Sequence, residues 1–496
     1  MRTVLLAAAL SLLPSAARSA QVPTRPVRNM AIDEAVFLAV KNNIQLQAER
    51  INPQRAATVI VEQQSVFDPV SYGQYARTKS NRQTSSALFG TQDSEASGSI
   101  GLQKLFPLGT VLDVHASSTR SWDDWVFSAI NPSYESVAGW SIQQPLMRGF
   151  GTKVNTAGIA TAKNERRIAQ AQLRDSALDL VLQTKGTYWE LVYAVRDRDL
   201  LRRSLERALN LQRDVEARVE AKVLGERDPA VSQAKAEVAT RQEALVVAEN
   251  TIRDHEENLK VLTDLISDTT LWGVQLTPTT EPPLAVPDYD PEHTVNTALA
   301  NRPDYQQARL QIENQGIVVM VRRNELKPQV NATFGIDNSG LSDRAYQSRR
   351  DLASWDYYEW NLTLGFEYPL ANRAARSRYR RARLEKQQAE IGLIALERRI
   401  QLDVRNAIRS VNTNVERLKA GQVSVAAETE RLRAEEIRFK EAKVGTTQDV
   451  LDAQAALADA ERRTLRALIN LNQAMETVRR ADGTLLEASN VMFEED

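Results

Sequence analysis

The chain has 496 residues, 63 Lys and Arg against 64 Asp and Glu, a formal net charge of −1 and no cysteine. That balance gives no case for nucleic-acid binding, and the lack of thiols removes lipid-anchor sites and disulfides. Glycine and proline are few, and long stretches rich in Ala, Glu, Arg, Leu and Gln have the profile of long helices and coiled coils.

Arg2, the apolar run Val4 to Leu13 and the small residues Ser15-Ala16-Ala17 read as a secretory signal peptide over 1–20, cut after Ala17 or Ala20. No later segment approaches the roughly 18 uninterrupted apolar residues of a helical span. An exported chain of this kind can enter a membrane only as a β-barrel, because lipid satisfies no open backbone groups.

The rest is written twice. Ile32 to Arg50 resembles His293 to Arg309, with Val36 on Val295, Ala39 on Ala298 and Asn42 on Asn301 at an offset of 259. The same offset carries Pro69 onto Pro328, where the helical pattern stops in both halves. Further on, Pro145-Leu146 pairs with Pro369-Leu370 at an offset of 224, and Gly225 with Gly445 at 220. The fall from 259 to 224 puts 35 extra residues in the first half, between Pro69 and Pro145.

Each half reads as helix, β-segment, very long helix, tight turn and returning helix. In 21–266 the β-segment is 68–145, the long helix 149–224 and the returning helix 227–265; in 291–481 they are 328–369, 371–444 and 446–480. A proline-rich linker, 267–290, joins the halves, and 482–496 is a tail. Ile400, Val404, Ile408, Val411, Val415 and Leu418 recur close to the 3.5-residue seam of a coiled coil. A helix over 371–444 would be roughly 110 Å long at 1.5 Å per residue, too long to bury itself, so it must pack along partners of matching length.

The β-segments alternate with period two. Ser136 to Gln144 sets Ala138, Trp140 and Ile142 against Val137, Gly139, Ser141 and Gln143. Pro328 to Asn338 and Glu359 to Tyr368 alternate likewise, the latter with Trp360, Leu362, Leu364, Phe366 and Tyr368 on one side. Apolar outside and polar inside is the pattern of outer-membrane strands. Trp140, Trp360 and Tyr368 are candidate interfacial aromatics, with generic strand composition as the plainer reading. Ser97 to Leu105 and Thr110 to Ser118 flank a Phe106-Pro107-Leu108-Gly109 turn and form an added hairpin, leaving four or six wall strands per chain. So few strands cannot close a barrel alone, so several chains must share one sheet. The Lys79–Ser94 and Ser339–Asp351 stretches read as outward loops.

Helix pair, strands, long helix and Gly-turned tip, repeated in this order, resemble the TolC family of outer-membrane efflux and secretion channels. The clearest stretch is Val444 to Leu485 (VGTTQDVLDAQAALADAERR…GTL), with Ala39 to Arg50, Pro145 to Gly151 and Pro369 to Arg373 also typical. The resemblance implies a mainly α fold with membrane β structure: a homotrimer with a 12-helix periplasmic barrel continuous with a shared 12-strand barrel, wrapped by an equatorial layer. It implies a passive exit duct in the outer membrane of a Gram-negative bacterium, serving a tripartite efflux pump or type I secretion system. The partners would be a periplasmic adaptor (membrane fusion) protein and an inner-membrane RND or ABC transporter. No reaction, cofactor or metal is called for.

Asp449 and Asp452 share one face of a helix's first turns, where acidic residues also favour the helix dipole. The resemblance makes them the constriction of the periplasmic entrance, and makes Gly225, Val444, Gly445 and Thr446 the tips that contact the adaptor; turning the hairpin is their plainer role. Thr447 and Ala442 stand where the best-known members carry an Arg and a Tyr that lock the entrance, so the gate is held otherwise. Arg373, Arg376, Arg378 and Arg380 form a basic cluster below the last strand, either a solvated helix face or a contact for anionic lipid headgroups. The rival readings are an exported coiled-coil scaffold without a pore and an envelope-bound hydrolase. The second lacks motifs: His115, His255 and His293 are scattered, and no HExxH, GxSxG or P-loop occurs.

Overall fold

The computed structural model describes residues 26–83, 90–222, 225, 228–442 and 445–491. The signal peptide and Val444 lie outside the described residues. The chain opens with β1 (Val27–Met30), α1 (Ile32–Asn42) and α2 (Ile44–Gln64). Four strands follow: β2 (Val70–Asn81), β3 (Gln92–Leu105), β4 (Val111–Asp123) and β5 (Ser133–Pro145). A short α3 (Thr152–Asn155) leads into α4 (Ala157–Glu220), which turns back as α5 (Pro229–Leu262). After β6 (Gln275–Pro278), α6 (Pro291–Asn301) and α7 (Pro303–Asn324) lead to β7 (Gln329–Ser342), α8 (Ala345–Asp351) and β8 (Tyr358–Glu367). The chain closes with α9 (Arg373–Ile437), extended by a π-turn over Arg438–Ala442, and α10 (Thr447–Ala481).

The two long helices have 64 and 65 residues, and each is flanked lengthwise by shorter helices, α2 and α5 along α4, α7 and α10 along α9. The shorter helices abut at chain breaks. Between α1 and α2, Asn43 caps α2 by accepting from Leu46 N at 3.1 Å and donates to the carbonyl of Leu262, the last residue of α5, at 3.2 Å. Between α6 and α7, Arg302 is extended because Pro303 follows it. Its guanidinium reaches the carbonyl of Ala481, the last residue of α10, at 3.4 Å.

The seam residues Ile400, Val404, Ile408, Val411 and Leu418 are buried against Ala467, Leu471, Ala474, Met475 and Val478 of α10. The first-half hairpin is joined to α10 by ion pairs along α4: Arg207–Glu461 at 3.1 Å, Asp197–Arg462 at 2.7 Å, Glu190–Arg466 at 2.6 Å and Lys185–Glu476 at 3.0 Å, with Arg480 reaching both Asp175 and Asp179. At mid-length, β1 pairs in parallel with β6. The buried hydroxyl of Tyr188 on α4 donates to Met30 O at 3.0 Å and accepts from Thr279 N and Thr280 N, pinning this small sheet to the long helix.

The remaining strands form one antiparallel sheet in the order β2-β3-β4-β5-β7-β8. Six strands therefore lie side by side. The added hairpin is not an external flap: β3 and β4 are 14 and 13 residues long, as tall as their neighbours. β7 runs to Ser342 and α8 occupies Ala345–Asp351, so much of the expected Ser339–Asp351 loop is regular structure. No helix among the described residues is long and apolar enough to cross a membrane.

Candidate channel wall and entrance

Strand register sorts the sheet into two unlike faces. Leu102, Val114, Trp140, Ile336 and Trp360 form one rung across β3 to β8; Lys104, Leu112, Ile142, Phe334 and Leu362 form the next on the same face. The Trp140 and Phe334 rings lie 5.5 Å apart. Trp360, Leu362, Leu364 and Phe366 are 60–71 % exposed in the single chain, an apolar surface that water does not tolerate and lipid does. Every strand charge on this face is basic (Arg77, Lys79, Lys104, Arg120), and they lie toward the two ends of the strands.

The opposite face is polar and carries every strand carboxylate, among them Glu95, Asp113, Glu135, Asp337, Glu359 and Glu367, with no Lys or Arg. Tyr72 donates to Asp113 Oδ2 at 2.9 Å, and His115 lies 3.0 Å from Asp113 Oδ1 and 3.2 Å from Asp337 Oδ1. Gly139 on β5 stands between them. A Cβ there would fall 1.9 Å from the Asp337 carboxylate, so glycine is what leaves room for the His115 and Asp337 side chains to meet over β5.

At the far end of the helices lies the candidate entrance. Asp449 is the third residue of α10 and forms a capping box with Thr446: its Oδ2 accepts from Thr446 N at 3.0 Å and Oγ1 at 2.7 Å, while Thr446 Oγ1 accepts from Asp449 N at 3.2 Å. The Thr446 hydroxyl and backbone hydrogen bonds hold its carboxyl below the usual range. Asp452, one turn on, is exposed and accepts only from the Gln448 side chain, at 2.8 Å. The structure thus gives Asp449 a capping task and leaves Asp452 the freer charge. Gly225 is exposed, and Gly445 packs against Phe439 N, where a Cβ would come within 3.1 Å. Asp228 caps α5 by accepting from Ala230 N at 2.9 Å.

Sequence reasoning missed the contact that joins the two tips. Arg218 near the end of α4 lies over the Phe439 ring at 3.6 Å and donates to the Phe439 carbonyl, and Lys440 pairs with Asp214 at 3.1 Å. The available signal was Phe439 itself, a lone aromatic in an otherwise aromatic-poor helix end.

Tyr368 lies one residue past β8, half-buried at the helix end of the wall, whereas Trp140 and Trp360 share a rung higher up. Arg373, Arg376, Arg378 and Arg380 are all exposed on the first turns of α9; Arg378 pairs with Glu325 at 3.2 Å. Cations at a helix N-terminus oppose the helix dipole, so local helix energetics does not explain the cluster. Among the described residues no group of His, Asp and Glu could hold a metal ion.

Residues 294–484 match the family model described as outer membrane efflux protein. No curated protein matches the chain by sequence. Solved structures match along nearly the whole chain: the outer-membrane channel OprN (TM-score 0.67, 16 % identity, 91 % of this chain and 90 % of that one), the Campylobacter jejuni CmeC outer membrane channel (0.65, 16 %, 92 % and 86 %) and the open state of the Neisseria gonorrhoeae MtrE outer membrane channel (0.61, 15 %, 92 % and 89 %). The chain is thus similar to outer membrane efflux proteins over residues 294–484 and shares the fold of these solved channels along nearly its whole length.

Proposed function

We propose that three copies of this chain close one β-barrel and one helical tunnel, forming a passive exit duct through the outer membrane. The observation that carries this reading is the sheet, with one face whose large side chains are apolar and whose charges are all basic, one polar-to-acidic face and two unpaired edges. A row of free strand N–H and C=O groups is not tolerated in lipid. Because the sheet has six strands, β2 and β8 run in opposite directions, so identical copies can join edge to edge by antiparallel pairing around a ring. Three copies follow the family resemblance.

In the same reading the chain is a duplicated unit. Helices α1 and α6 have 11 residues each, α2 and α7 have 21 and 22, and α5 and α10 have 34 and 35. The contacts of Asn43 with the end of α5 and of Arg302 with the end of α10 repeat the same junction. The tips around Gly225, Val444, Gly445 and Thr446 meet a periplasmic adaptor, which couples the duct to an inner-membrane RND or ABC transporter. Asp452, with Asp449 behind it, narrows the entrance with negative charge. Arg373, Arg376 and Arg380 meet anionic headgroups of the inner leaflet, and Trp140, Trp360 and Tyr368 anchor the barrel in lipid. A pore-free scaffold would have no use for the apolar sheet face.

Outer-membrane fractionation followed by native mass measurement in detergent tests the reading. A trimer extracted only by detergent is expected; a monomer released by salt would overturn it.

A further inference from the structure

The β3–β4 hairpin lies in the same sheet as the four strands that the family resemblance calls for, and we infer that it is part of the membrane wall. The assembled barrel then has eighteen strands rather than twelve. This rests on the channel reading above and goes beyond it in fixing the width of the exit.

Three observations carry it. First, the two-faced pattern continues through the half of the hairpin next to the helices: Leu102 and Val114 share a rung with Trp140 and Trp360, while Ser99, Ser117 and Asp113 point with Gly139 and Asp337 to the acidic side. A hairpin folded over an outer loop would have no reason to keep lipid-facing residues in step with its neighbours. Second, the hairpin turn sits at the junction of wall and helices. Gly109 (φ +93°) is so close to the loop after β5 that a Cβ would meet Gly149 O at 2.4 Å, and Gly151 N donates to Leu108 O at 3.1 Å. The hairpin therefore spans the full height of the sheet, from this junction to the outer loops.

Third, the perimeters agree. Twelve helices about 9–10 Å apart make a ring of roughly 110 Å. Eighteen strands about 4.8 Å apart, tilted by about 40°, also give roughly 110 Å, whereas twelve give roughly 75 Å. Adding a hairpin to each copy without adding a helix thus brings the barrel to the width of the tunnel. The duct has no narrowing at the membrane and suits bulky cargo.

The chain has no native cysteine, so single cysteines can map the wall. Ile100→Cys and Val114→Cys probe the apolar side of the hairpin, Ser117→Cys its polar side, and Leu364→Cys the apolar side of β8. Each is labelled with bimane in trimers reconstituted into vesicles containing brominated phosphatidylcholine. The expected result is equal lipid quenching at 100, 114 and 364, with 117 quenched by aqueous iodide instead. Lipid quenching at 364 but iodide quenching at 100 and 114 would overturn the eighteen-strand wall and leave the channel reading standing. Iodide quenching at all four would overturn both. Counting strands in a cross-section of the unmodified trimer by electron cryomicroscopy gives the same decision if a variant fails to fold: eighteen upholds the inference, twelve overturns it.

Discussion

The guanidinium of Arg218 lies 3.6 Å from the centroid of the Phe439 ring and so ties the end of α4 to the end of α9. This contact and the Lys440–Asp214 pair hold the ends of the two long helices together within one chain, at the end of the molecule proposed as the entrance. A cation–π contact of this kind is worth about 0.5–2 kcal/mol. Phe439→Ala should therefore raise the open probability of reconstituted channels severalfold, while the melting of the whole trimer moves little. Single-channel recording beside a thermal scan checks both.

The two entrance aspartates should separate. Asp449→Asn removes half of a capping box and should fray the start of α10, seen as faster amide exchange over Thr447 to Leu451, with modest loss of cation selectivity. Asp452→Asn should leave exchange unchanged and reduce cation selectivity and block by trivalent cations more strongly. Equal effects of the two on block would contradict the division of labour argued from their hydrogen bonds.

Acid should loosen the middle of the molecule. Burial pushes Asp304 up, but the paired contact with Arg302, at 2.7 and 3.0 Å, more than offsets it, so the carboxyl sits below the usual range. A depressed carboxylate contributes stability that is full above its unfolded value of about 4 and is lost as pH falls through the folded value. Thermal stability should thus decline below about pH 4, and Asp304→Asn should flatten that part of the profile. Arg302→Ala leaves Asp304 and Asp403 unpaired beside the junction. It should cost about 1–2 kcal/mol, below the loss from a fully buried pair, because both carboxylates are partly exposed and water can reach them.

Neighbouring residues of β8 should respond oppositely to a charge. Leu364→Arg places a cation on the lipid face, at about 2–4 kcal/mol per copy near mid-membrane, and should sharply reduce assembled trimer. Thr363→Arg points to the acidic side and should assemble normally. Heat-resistant trimer on a gel reads both.

Much of this was legible in sequence for physical reasons that differ by element. The Ile400 to Leu418 seam shows because its period near 3.5 is forced by one buried face. β5, β7 and β8 show because lipid and water demand opposite chemistry at alternate residues. β2 is less visible: Tyr72 and Tyr75 fall on opposite faces, and glycine and serine blur the contrast. The membership of β3 and β4 in the wall depends on register, which alternation alone does not set. The ion pairs from Arg207–Glu461 to Asp179–Arg480 were hidden, since acids and bases recur on every helix and the partners lie hundreds of positions apart. The capping role of Asp449 was readable from Thr446 three residues before it; the greater freedom of Asp452 was not.

The central claim is that this chain conducts. Purified trimers added to a planar lipid bilayer should produce uniform stepwise openings, with a reversal potential in a KCl gradient that favours K⁺, as expected where the polar strand face carries Asp113, Glu135, Asp337 and Glu367 and no strand Lys or Arg. Folded trimers that insert and give no conductance steps, even when the Phe439→Ala contact is removed, would contradict it.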